Sequence, residues 1–179
     1  MDYKVVLDFW FKQLSPADWW KKNEGLDSLI KTQFIDLHQQ ASDGELFKWR
    51  KTSEGSLAEV IILDQFSRNI FRDTARSFSS DGMALVLAQE AIAKNFDKEL
   101  EPTQRAFLYM PFMHSESLII HKQAKKLFGQ PQMESNYDFE LKHAAIIEEF
   151  GRYPHRNAIL GRESTPEELV FLTKPNSSF

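Results

Sequence analysis

The chain has 179 residues, 42% hydrophobic and 13% aromatic, with no cysteine and a formal charge of −4. That is the length of one domain whose core needs no staple, so a single domain over 1–179 is expected. The missing cysteine excludes disulfides, thiolate metal sites and cysteine catalysis. The acidic balance excludes a general attraction to nucleic acid or to an anionic membrane surface, and no apolar run reaches the length of a bilayer span.

In chain order, residues 3–12 place Val5, Val6, Phe9 and Trp10 on one helical face, with Asp2, Lys4, Asp8 and Lys12 interspersed. That is an amphipathic helix rather than a signal peptide, and a cytoplasmic location is expected. Ser15-Pro16-Ala17-Asp18 reads as a helix start. From Asp27 the stripe Ile30, Phe34, Leu37 predicts a helix to about Ser42, which Asp43-Gly44 breaks. Leu46, Phe47 and Trp49 suggest a further short helix closing at Lys51. Ser56-Leu57-Ala58-Glu59 matches a capping box opening a helix to Phe71. Val60 to Leu63 make that helix apolar nearly all round, the mark of a central element.

Ser80 or Asp81 caps the next helix, with Ala84, Leu87, Ala88, Ala91 and Ile92 on one side. Pro102 starts another, in which Pro111 predicts a kink or break, with a restart at His114 or Ser115 running to Phe128. Asn136–Phe150 follows, striped by Phe139, His143, Ile146, Ile147 and Phe150 and ended by Gly151. Thr165-Pro166-Glu167-Glu168 caps the last helix, whose Leu169 and Leu172 are expected to pack back. No segment alternates like a strand, so the reading is all-α: eight or nine helices, no sheet, stacked as helical hairpins.

Three polar stretches interrupt this apolar pattern. Of eight arginines, Arg68, Arg72, Arg76, Arg105, Arg152, Arg156 and Arg162 lie in or beside them, whereas the lysines lie on helix surfaces. A planar fork of donors is what a fixed carboxylate or anion needs, and lysine cannot supply it. Asp64 and Arg68 continue the buried stripe of Leu57, Val60 and Ile61 and can pair at i,i+4. Glu116 is a further acid that can hold an arginine in place. His114, His155 and Asn157 add donors, and the stretch 151–162 must find acceptors for three guanidiniums. The histidines match no metal-binding spacing, so no metal and no cofactor is expected.

The motifs Leu63-Asp64-Gln65-Phe66-Ser67-Arg68-Asn69-Ile70-Phe71-Arg72, Phe107-Leu108-Tyr109-Met110-Pro111-Phe112-Met113-His114-Ser115-Glu116 and Gly151-Arg152-Tyr153-Pro154-His155-Arg156-Asn157 stand in that order. Leu160-Gly161-Arg162 and Ser164-Thr165-Pro166-Glu167-Glu168 follow. Together they resemble the mainly bacterial family known as domain of unknown function 924 over nearly the whole chain. The resemblance implies a tetratricopeptide-like all-helical fold and attaches no reaction. Members often carry proline in place of Ser67 and phenylalanine in place of Tyr153.

The resulting expectation is a binding or scaffold module whose polar groove takes a small anionic ligand or an acidic peptide. Arg68, Arg72, Arg152 and Arg156 grip the anion, His114 and His155 donate, and Asp64 and Glu116 hold the arginines, with Asn157 and Arg162 in the same groove. A protein partner fits the same scaffold. The alternative is a hydrolase or transferase using His155 or His114 as general base, with Arg68, Arg72 and Arg156 binding an anionic substrate.

Overall fold

The computed structural model describes residues 1–175 and 177. Among them the chain is all-helical, with nine α-helical segments and no strand. It divides into two compact units: Met1–Arg72 with Arg76–Pro111, and Asp73–Ala75 with the chain from Phe112 onward.

In the first unit, α1 (Tyr3–Asp8) is capped by Asp2 and runs into a π-helical turn, Phe9–Gln13. Val5 is exposed there, while Val6, Leu7, Phe9 and Trp10 are buried, so the inward face lies one residue further round than the spacing suggests. No helix follows Ser15. Its amide and hydroxyl both donate to Asp18, which closes a turn, and the Trp19 indole N–H donates to the Trp10 carbonyl. Aromatic packing wins over the local cap signal. Trp19 lies 4.9 Å from the Phe107 ring, and Trp10 5.5 Å from it.

Helix α2 (Glu24–Ser42) starts at the Asn23 cap and buries Ile30, Phe34 and Leu37 as its stripe demands. Only a 3-10 turn, Trp49–Lys51, forms where a short helix was expected, and Phe47 points to solvent. Helix α3 (Ser53–Ile61) begins three residues before Ser56, at a Thr52 cap whose hydroxyl accepts from the Gly55 amide. Ser56 instead donates to the Thr52 carbonyl. Glu59 is unavailable as a capping acid because Arg50 holds it with two bonds of 2.7 Å. A π-helical turn, Ile62–Phe66, links α3 to α4 (Ser67–Ile70), so the long central helix carries one inserted residue. Its side chains from Leu57 to Phe66 are buried whichever way they point.

Helix α5 (Asp81–Ala93) packs on α3. Helix α6 (Pro102–Met113) passes through Pro111 without breaking there and ends two residues later. Pro111 has no N–H to return to the Phe107 carbonyl, so α6 continues there with one helical bond missing.

In the second unit, α7 (Leu118–Phe128) restarts after Ser117, later than expected, and packs along α8 (Glu134–Phe150). Gly151 ends α8 at a left-handed φ of 70°, which a glycine adopts without a Cβ penalty. Ile146, Ile147 and Tyr153 form a core flanked by Phe150 and Phe171. Phe139 lies outside that stripe, half-exposed beneath the Lys142 ammonium, 5.0 Å from its ring. Helix α9 (Pro166–Leu172) carries the anticipated Thr165–Glu168 capping box. Leu169 faces solvent rather than packing back, and the buried side chain of α9 is Glu168.

Candidate functional site

The first unit holds Asp64, Arg68 and Arg72. Asp64 is wholly buried and lies 3.3 Å from the Arg68 guanidinium, so the i,i+4 pair forms. Arg68 also donates to the Asp64 carbonyl and makes a two-pronged pair with Asp81 at 3.0 Å per bond. Arg72 reaches Asp27 on α2 with its Nε and Nη2, and Asn69 donates to the same carboxylate. Burial pulls Asp27 upward, but these donors outweigh it and hold the carboxyl below its ordinary range. The sequence reading did not select Asp27 or Asp81. Their i,i+3 and cap positions carry no sign of such distant partners.

The second unit gathers the other candidates. Arg162 donates through Nη1 and Nη2 to the two oxygens of Glu116, at 2.6 and 2.8 Å. Its Nε donates to the Asn157 side-chain oxygen Oδ1, and Nη2 also reaches the Tyr153 backbone carbonyl. The Tyr153 amide donates to Glu116. Burial pulls the Glu116 carboxyl up, yet the bonds from Arg162 and Tyr153 hold it below the usual range. Asn157 is fully buried and passes its amide to Ser164 and Glu168.

Arg152 takes Glu168 through Nε and Nη2, and Nη2 also reaches the Glu163 carbonyl. Glu168 therefore serves the guanidinium, Asn157 and the cap of α9 together, and Arg152 above all holds its carboxyl down at about 2. Sequence reasoning saw Glu168 only as a capping residue. Its second duty requires the loop 151–165 to fold back over α9.

Arg156 is 7% exposed. Its guanidinium lies 4.5 Å over the Tyr153 ring, and Nη2 donates to the His114 carbonyl. Half-buried His155 tilts against the same ring at 5.5 Å. His121 and His143, outside the expected set, also surround Tyr153, with ring centroids at 6.3 and 5.8 Å. His143 lies on the buried stripe as expected and donates from Nδ1 to the Phe139 carbonyl. Burial holds its pKa down at about 3, so it is neutral. Among the described residues, no group of three His, Asp or Glu side chains is arranged to hold a metal ion.

Fold and loop together define an all-helical protein in which long-range arginine–carboxylate pairs pin a C-terminal loop. A family model described as bacterial protein of unknown function (DUF924) matches residues 6–176, and the chain belongs to that family. It is similar to the solved protein of unknown function ATU0120 from Agrobacterium tumefaciens, with 39% identity and a TM-score of 0.90. That match covers 95% of this chain and 96% of the other. No curated protein matches the chain.

Proposed function

We propose that this protein is a binding or scaffold module of tetratricopeptide-like hairpins whose C-terminal loop meets a small anion or the acidic end of a peptide. One observation carries the reading. Arg152 spends Nε and Nη2 on Glu168 and the Glu163 carbonyl, while its Nη1 edge lies on a side chain 28% exposed. The pairs to Glu116 and Glu168 fix the loop, so this edge is presented without reorganisation. A fixed guanidinium edge suits a carboxylate or phosphate better than a neutral ligand.

The test is a thermal-shift and calorimetric series with inorganic phosphate, citrate and a peptide ending in two acids, against chloride at matched ionic strength. The expected result is anion-dependent stabilisation of the wild type that Arg152→Lys and His155→Ala reduce. Stabilisation equal to that from chloride would overturn the reading. Ester hydrolysis lost in His155→Ala with binding retained would move the assignment to the general-base alternative.

A further inference from the structure

His121 on α7 and Glu140 on α8 are both fully buried, with Nδ1 2.8 Å from Oε1. The other ring nitrogen, Nε2, lies 2.8 Å from the Ser115 carbonyl oxygen, which has no proton to give. The Tyr153 hydroxyl, 3.2 Å from Nε2, directs its own proton to the Met113 carbonyl. Nε2 must therefore carry a hydrogen. That leaves the 2.8 Å gap between Nδ1 and Oε1 room for one proton and no more. With none, an imidazole lone pair faces a carboxylate. With two, an N–H meets an O–H and an uncompensated charge is buried.

Glu140 Oε2 points to where the proton sits. It is buried and accepts no hydrogen bond. A bare carboxylate oxygen is costly there and the oxygen of a neutral carboxyl much less so. Burial likewise raises the Glu140 pKa.

In an unfolded chain above about pH 6.5, glutamate is ionised and histidine mostly neutral, so the two side chains hold no shared proton. From this we infer that pairing α7 with α8 takes up one proton per chain, and that the pair acts as a pH-sensitive latch that loosens as pH rises above neutrality. The sign follows from the extra proton that the geometry places on the folded pair. A group that binds a proton more tightly when folded stabilises below its unfolded pKa and loses that contribution as pH rises through its folded pKa.

Several charged and titratable groups surround this pair. Lys125 on α7 acts on Glu140 by its charge, Arg156 stays cationic, and Glu116, held below its ordinary range, stays anionic. His143 on α8 is neutral throughout. The Tyr153 hydroxyl lies against His121 Nε2, Glu148 on α8 also senses His121, and His114 and His155 lie near His143.

The experiment is urea unfolding of the full chain at pH 6.5, 7.5 and 8.5, with hydrogen exchange read on α7 and α8. Proton uptake is counted by calorimetry in buffers of different ionisation enthalpy. Wild type should take up close to one proton on folding, and its unfolding constant should rise by up to tenfold per pH unit. Glu140→Gln keeps a donor toward Nδ1 without a titrating proton and should flatten that rise, whereas His114→Gln and His155→Gln should not. A wild-type slope equal to that of Glu140→Gln overturns the inference. If Glu140→Gln does not fold, the wild-type proton count decides alone, and a count near zero overturns it.

Discussion

Arg50 is the arginine that stands apart from the polar stretches, and its pair with Glu59 gives the sharpest stability test. Glu59 is 0% exposed in α3, and its two oxygens each take a 2.7 Å bond from Arg50, a side chain 31% exposed. Arg50→Ala leaves a carboxylate inside the first unit with its guanidinium gone, a change that typically costs ~3–5 kcal/mol. The lower end, ~3 kcal/mol, is expected, because the partly open Arg50 position lets water follow. Glu59→Leu removes the buried charge instead and frees Arg50 to turn outward, so it should cost less than about 1 kcal/mol. The double variant Arg50→Ala/Glu59→Leu should recover most of the loss. Urea unfolding followed by circular dichroism gives the three values and closes the cycle. Equal losses in the two single variants, or a loss under ~1 kcal/mol for Arg50→Ala, would refute the claim that burial of Glu59 sets the cost.

Acid should weaken both units. His38, buried against Phe71 in the first unit, is held down at about 4 and His143 in the second at about 3, both mainly by burial. Each takes up a proton in the unfolded chain before it does in the folded one. The stability they protect is therefore present above their ordinary value of 6.5 and is lost as pH falls toward the folded values. A pH series of urea midpoints should fall below pH 6, and His143→Gln should flatten part of that fall; a midpoint independent of pH between 6 and 4 would contradict this. Gly55→Ala should cost roughly 2–3 kcal/mol by melting, since a Cβ there would sit 2.2 Å from the Trp49 carbonyl oxygen and disturb the Thr52 cap. Gly82→Ala, with open space at the same test position in α5, should stabilise by up to about 1 kcal/mol, and equal effects at the two glycines would refute the steric argument.

Residue spacing alone was enough to set the all-helical class and most helix positions. It also determined the buried central helix, the Gly151 stop and the capping box of α9. These depend on spacings of three and four residues, within which a helix face or a cap is decided. The Asp64–Arg68 contact belongs to that group, at i,i+4. Which carboxylates Arg72, Arg152 and Arg162 take was settled by packing across the fold. Arg72 reaches Asp27 across 45 residues, and Arg162 reaches Glu116 across 46. A guanidinium accepts any acid that packing brings to it, so composition shows that partners are needed without naming them. The same reason governs the local misreadings. Ser15–Asp18 turns instead of starting a helix because Trp19 and Phe107 pack together, and Ser56 yields the cap to Thr52 because Arg50 holds Glu59. His121 and Glu140 gave no signal at all, because their shared proton exists only once α7 lies on α8.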